Sequence, residues 1–241
     1  MSDFSAAADV DRSIDIQKEM NTRQEDAPPS LIPRYTWLLS RYPDFLASFT
    51  HPLREVAVRH LGLEPGSRVL DVGCGTGASF PFLLQAVGPE GEVVGVEISP
   101  NLAAIANKRI EQEGWNNVHV VVGPAHTIAL PGTFDGLLMF AVHEVLTSPV
   151  ALDHLLAHLK KEGRIVASGA TLSNSRQGRL LNPLLRLLTQ TLLPASSAPV
   201  DARPWRFLET RTGKLDMEER MAGLLYLVSG YLPSKKTLGA G

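Results

Sequence analysis

The chain has a single cysteine, Cys74, so no internal disulfide can brace it. That usage fits a reducing compartment and leaves the fold to its hydrophobic core. Long apolar runs are also missing. A bilayer span needs about 20 predominantly apolar residues, and the nearest approach, residues 180–193, is interrupted by Asn182, Pro183, Arg186 and Gln190. Charge of one sign is not in excess either. Charged residues make up 20% and the formal net charge is −2, so there is no broad basic field to draw nucleic acid. Residues 1–30 carry Asp3, Asp9, Asp11, Asp15, Lys18 and Glu19 with no apolar centre, which is unlike a secretory signal. Internal repeats and low-complexity tracts are absent. These absences lead to the expectation of a soluble, cytoplasmic protein with no transmembrane segment, no nucleic-acid partner and no metal site.

What is present is 44% hydrophobic content over 241 residues, enough to bury one sizeable core. Residues 1–30 are polar, end in Ala27-Pro28-Pro29-Ser30, and read as a flexible arm. Residues 31–64 read as a helical cap. Tyr35, Trp37, Tyr42 and Phe45 crowd its first half, and Leu53, Val56, Ala57, His60 and Leu61 follow at helical spacing. Pro33, Pro43 and Pro52 are expected to divide it into two or three short helices.

From Ser67 onward short apolar runs alternate with helical patterns. Strands are expected at 68–72, 92–98, 118–122, 135–140 and 164–168, and helices at 78–87, 101–113, 149–159 and 177–193, with a short helix at 205–211. This alternation argues for parallel strands joined by right-handed crossovers. At the end, residues 214–220 and 223–230 are separated by only Met221 and Ala222, which permits only an antiparallel pair. The expected fold is therefore an α/β, Rossmann-like doubly wound sheet over residues 65–241, ending in a β-hairpin and carrying a helical insertion at about 171–205.

The strongest local signal is Val69-Leu70-Asp71-Val72-Gly73-Cys74-Gly75-Thr76-Gly77, a buried strand running into a glycine turn and then a helix. Glycines make such a turn tight and let a ligand approach the backbone. Glu97 ends the next strand 20 residues beyond Gly77, where a carboxylate can accept hydrogen bonds from ribose hydroxyls. Gly73, Gly75 and Ala78 also fit a dinucleotide pattern, so a nicotinamide-dependent oxidoreductase stays open as an alternative. Asp71 argues against it, since a carboxylate there repels a pyrophosphate and suits a cationic amino-acid moiety.

These pieces, with Phe134-Asp135 opening the fourth strand and Leu159-Lys160-Lys161-Glu162-Gly163-Arg164 leading into the fifth, resemble the class I S-adenosylmethionine-dependent methyltransferases. The small-molecule branch acting on quinones, lipids or natural products is the most similar in look. The resemblance covers roughly residues 66–170 and, more loosely, the terminal hairpin. It implies that S-adenosylmethionine is the cofactor. Asp71 and the backbone of Gly73, Cys74, Gly75 and Gly77 would hold its methionine part, Glu97 its ribose and Ile98 its adenine. Many relatives read Gly-Asp-Ala after the third strand. Here the turn is Gly123-Pro124-Ala125-His126, so adenine recognition passes to Ala125 and His126 through backbone groups. Phe140 would pack against cofactor or substrate. A catalytically silent cofactor-binding protein is a further alternative.

In open α/β sheets ligands bind beyond the carboxyl ends of the strands. His143 follows the fourth strand and is the candidate general base, because imidazole exchanges protons near neutral pH; the other reading is a structural cap over the pocket. His154 and His158 share a helix face at i, i+4, but with no third ligand and an expected solvent-exposed face they do not make a metal site. The acceptor, a small and hydrophobic or lipid-like molecule, is expected against Tyr35, Trp37, Tyr42 and Phe45 or against the leucine-rich insertion. Those leucines can serve as core, dimer face, membrane-surface contact or substrate wall. Monomer and homodimer are equally compatible with the sequence.

Overall fold

The structure is a computed structural model and describes residues 43–192 and 203–233. Tyr35, Trp37 and Tyr42 lie outside the described residues, and Phe45 falls within the first helix without a described side chain.

Seven strands form one sheet: β1 (Arg68–Val72), β2 (Glu92–Glu97), β3 (Val118–Val122), β4 (Phe134–Phe140), β5 (Leu159–Ala170), β6 (Asp216–Arg220) and β7 (Leu225–Tyr231). Their order is β3-β2-β1-β4-β5-β7-β6. The first five strands are mutually parallel, and β7 pairs antiparallel with both β5 and β6. The hairpin expected from the short 221–222 connection is present. Its second strand inserts beside β5 and leaves β6 at the edge. Chain direction across the sheet reverses between β1, which leads outward to β2 and β3, and β4, which leads to β5. That switch point opens a crevice beyond the strands' carboxyl ends.

The helices are α1 (Pro43–Leu61), α2 (Phe80–Val87), α3 (Pro100–Glu113), α4 (His143–Leu146), α5 (Pro149–Ala157), α6 (Arg176–Leu192) and α7 (Arg206–Thr212). The two-residue period of the strands sorts the core into two layers. Val69, Val93, Leu138, Phe140 and Val166 face one side, where Ala57, Val58 and Leu61 of α1 and Phe80, Leu83 and Val87 of α2 cover them. Leu70, Val72, Val94, Leu137, Met139 and Ile165 face the other, under Leu146 of α4, Leu152 and Leu155 of α5 and Leu208 of α7. Asp71, between Leu70 and Val72, thus belongs to the α1 side, as does Phe140.

Two local expectations are corrected. Pro52 does not divide the first helical segment: α1 runs unbroken for 19 residues with Pro52 inside it. Its buried stripe of Ala57, Val58 and Leu61 lies against the sheet, and that packing outweighs the lost backbone hydrogen bond. Strand β5 begins at Leu159 rather than Arg164, with a register shift opposite Phe134 and Gly136. Lys160-Lys161-Glu162-Gly163 is folded in as a bulge, with Glu162 at φ +62° and the Lys160 ammonium on Asp135 at 2.8 Å. No described helix is long and apolar enough to cross a membrane.

Candidate functional site

The turn after β1 is built by two glycines that do different work. Gly73 has φ +67°, and a Cβ there would sit 2.1 Å from Cγ1 of Val142, in the loop after β4. It is glycine so that the β1 and β4 loops can touch, a reason internal to the protein and absent from the sequence argument. Gly75 has φ +59° with nothing within 4 Å of a notional Cβ. Its turn therefore faces open space, where a ligand can meet the backbone. Cys74 points the other way, into the core, where its Sγ would lie 2.8 Å from a Cβ on Gly95. Burial drives its thiol well above the ordinary range, so it is a packing group without thiolate reactivity.

Glu97 binds this turn to the next one. Its Oε2 accepts from the Gly75 N–H and its Oε1 from the Ser99 N–H, both at 2.9 Å. Burial raises its carboxyl, opposed by these backbone donors. Each carboxylate oxygen has a second lone pair, so Glu97 is oriented and can still accept from hydroxyls. Ile98 beside it is 58% exposed, an apolar side chain uncovered at the mouth. Gly123 donates to the Glu97 carbonyl at 2.9 Å, which places Ala125 and His126 on the same rim. Ala125 is half-buried and His126 exposed.

Asp71 is the unusual group. It is 1% exposed, and its Oδ2 has no hydrogen-bond partner. Burial pushes its carboxyl up to about 7, against the pull of Arg54 and a hydrogen bond from Ser79. Arg54 on α1 donates to Ser79 Oγ at 2.7 Å and to Thr50 Oγ1 at 3.1 Å, and its guanidinium lies 4.1 Å from the centre of the Phe140 ring. Sequence reasoning missed Arg54 and Ser79. An arginine beside Leu53 and Val56 on an amphipathic helix looks like a surface charge, and only the packing of α1 over β1 and β4 aims it inward.

At the end of β4, Ala141 adopts φ +60° and donates its N–H to the Ser168 carbonyl at 2.7 Å. Left-handed backbone at a residue other than glycine costs on the order of 1 kcal/mol and clusters at functional sites. His143 follows, opening α4, and its Nε2 is buried without a hydrogen-bond partner. Two unpartnered buried polar atoms thus come from adjacent strands, Asp71 Oδ2 from within β1 and His143 Nε2 from just beyond β4. Each is a cost unless a ligand meets it.

His154 and His158 are accounted for by packing. His154 is half-buried rather than solvent-exposed; its Nε2 meets the Ile128 carbonyl at 2.8 Å, and His158 Nδ1 meets the His154 carbonyl at 3.0 Å. Both therefore serve the packing of α5. Among the described residues no group of three or more His, Cys, Asp or Glu is arranged to hold a metal ion.

An orphaned acceptor for a cationic group, an oriented carboxylate for hydroxyls, a glycine turn facing open space and an uncovered apolar side chain fit S-adenosylmethionine. Comparison with known proteins agrees. Residues 69–163 match a family described as "Methyltransferase domain". The demethylmenaquinone methyltransferase of Geobacillus kaustophilus is 37% identical over 83 residues, 34% of this chain and 36% of that protein. Its counterpart in Anoxybacillus flavithermus is 30% identical over 129 residues, 52% of this chain and 54% of that protein. The chain thus spans between a third and about half of the length of these curated relatives. A SAM-dependent methyltransferase structure from Aquifex aeolicus superposes with TM-score 0.56 at 21% identity, covering 74% of this chain and 89% of that one, a likeness of fold. Matched core and strand order together assign residues 69–163 to the methyltransferase domain family, on a fold shared with a SAM-dependent methyltransferase.

Proposed function

We propose that the protein transfers the methyl group of S-adenosylmethionine to a small, hydrophobic or lipid-like acceptor bound beyond the carboxyl ends of β1 and β4. The unpartnered Asp71 Oδ2, buried below the glycine turn, carries this reading. The Asp71 carboxylate accepts from the cationic amino group of the methionine moiety, and the backbone of Gly73, Cys74, Gly75 and Gly77 lines that moiety. Glu97 holds the ribose hydroxyls, Ile98 covers one face of adenine, and backbone groups of Ala125 and His126 meet its edge. The cofactor supplies an electrophilic methyl group.

The chain's part in the reaction is to orient the acceptor atom and exclude water. His143 is assigned the proton: its Nε2, buried and unpaired just beyond β4, takes the proton released by an oxygen or acidic carbon acceptor. Phe140, held under Arg54, forms the apolar floor between cofactor and acceptor. Tyr35, Trp37, Tyr42 and Phe45 precede or begin the helix that carries Arg54 and are assigned to the acceptor wall. The relatives act, by name, on demethylmenaquinone, so a reduced quinone is the first acceptor class to try.

The test has two stages. Calorimetry should give heat with S-adenosylhomocysteine and none with NADH; the reverse result would return the site to the nicotinamide reading. Labelled S-adenosylmethionine with a panel of quinols, phenols, amines and lipids should then yield a methylated product. Binding without transfer to any acceptor would favour a silent cofactor-binding protein. His143→Ala is expected to slow transfer about 100-fold or more while leaving S-adenosylhomocysteine affinity within about twofold. Unchanged turnover removes His143 from the base role.

A further inference from the structure

Among its described side chains, helix α6 presents leucines to solvent and small or polar groups to the protein. A helix docked on a soluble core normally faces its leucines inward. The buried position of its first turn is instead Gly178, and the half-buried Asn182 lies one turn on. Asn182 is fastened to Ser173 by two hydrogen bonds, Oδ1 accepting from the backbone N–H at 2.9 Å and Nδ2 donating to the carbonyl at 3.0 Å. A Cβ on Gly178 would stand 2.3 Å from the Ala222 carbonyl. That carbonyl also accepts from the Ser173 and Ser175 hydroxyls, at 2.5 and 2.8 Å. Small and polar groups therefore clamp the helix start to the β6–β7 turn.

Four leucines of α6 point away. Leu180 is 82% exposed, Leu184 53% and Leu187 58%, and at 100° per residue these three form one stripe, with Leu181 beside it. Arg176, Arg179 and Arg186 are exposed; Arg176 falls within the stripe and the other two along one flank. Residues 171–200 contain these three arginines and no aspartate or glutamate, in a chain whose net charge is −2. Met221, 71% exposed, adds an apolar side chain at the clamped turn. At the clamped turn, Glu218 is paired with Arg220, and Glu219 has its Oε2 3.2 Å from a Cβ placed on Gly223.

We propose that the outward face of α6 docks on an anionic lipid bilayer surface. An apolar stripe flanked by arginines, free of acids and too short and interrupted to span, is the pattern of a helix lying in the interface. There leucines enter the acyl boundary and guanidinium groups stay among the headgroups. The charge commits the face to an anionic surface rather than to a second copy of the same helix, whose arginines would oppose these. Docking would hold the domain where an apolar acceptor is concentrated. It does not depend on which acceptor is methylated.

The test is cosedimentation of the full chain with vesicles of phosphatidylcholine alone and with about 30% phosphatidylglycerol added, at low and high salt. Binding is expected only to the anionic vesicles and to weaken with salt. Leu180→Asp with Leu184→Asp should lower vesicle affinity more than about tenfold. Arg176→Ala and Arg179→Ala should each lower it about fivefold. Because these side chains are exposed, every variant should keep its heat with S-adenosylhomocysteine, which separates failure of docking from failure of the cofactor reading. Absence of vesicle binding, equal binding to neutral vesicles, or binding indifferent to the paired aspartates overturns the proposal. So does a dimer, by light scattering, that the aspartates dissociate while vesicles are ignored.

Discussion

The glycine turn after β1 and the helix α6 both break the rule that apolar groups go inside and polar groups outside, and they break it in opposite directions. At the turn, the carboxyls of Asp71 and Glu97 are buried beside Leu70, Val72 and Val96. On α6, Leu180, Leu184 and Leu187 stand exposed while Gly178 and Asn182 face the protein. A buried carboxylate costs stability unless something meets it, and an exposed leucine stripe forgoes the stabilisation that burial gives. Both regions answer to the partners proposed for them rather than to the stability of the isolated chain. Their scales differ: the turn offers individual atoms to a small cation, whereas the helix offers an area to a surface.

This contrast can be sharpened by comparing leucines first. Leu138 is fully buried beside Asp71, its partner in the β1–β4 register; Leu138→Ala should cost about 2–5 kcal/mol of unfolding free energy in denaturant titration. At the turn, Glu97→Ala removes the acceptor for two backbone N–H groups as well as the proposed ribose contact. We expect cofactor affinity to fall about 100-fold, measured by calorimetry, with a lowered melting temperature. Loss of affinity without loss of stability would mean that the two N–H bonds contribute little.

Asp71→Asn should separate binding from stability. Cofactor affinity is expected to fall roughly tenfold or more, while the cofactor-free variant gains stability on the order of 2 kcal/mol at pH 8, where the wild-type carboxylate is ionised in a buried site that Arg54 and Ser79 offset only in part. The sign follows from a folded pKa of about 7 against an ordinary 3.8. The folded protein takes up a proton that the unfolded chain does not, so the cofactor-free wild type grows more stable as pH falls from about 7 toward 4. Cofactor affinity should move the other way, declining below about pH 7, because the amino group needs the ionised form. Affinity flat from pH 6 to 8 would contradict the assigned contact. The smallest effect is expected at the other pole: Leu180→Ala on α6 should change stability by less than about 0.5 kcal/mol. A larger loss would show that α6 packs more deeply than its exposure indicates.

Much of the frame was legible because it rests on short-range periodicity. The bounds expected for β1 and β3 match the structure, and β2, β4 and helices α2, α3, α5 and α6 differ by one or two residues at either end. Pro100 after the Ser99 cap and Gly114 in the left-handed C-cap mark α3 in the sequence as plainly as in the fold. The errors fall where tertiary packing overrides local signals. Pro52 failed to break α1, the Lys-Lys-Glu-Gly segment became part of β5, and leucines of the insertion, for which core was one of four readings, are exposed where they are described.

The amino-acid order by itself determined the glycine turn, the acid that precedes it, the acid 20 residues beyond, and the hairpin that ends the sheet, because each depends on spacing along the chain and on which residues tolerate a conformation. Only the tertiary structure decided that Gly73 is glycine for Val142 and that Arg54 reaches Ser79 and Phe140 from a helix outside the motif. It alone left Asp71 and His143 with unpaired atoms and sent Leu180, Leu184 and Leu187 of α6 outward. These outcomes depend on which elements meet in space, and no local pattern records which face of a helix its neighbours will leave uncovered.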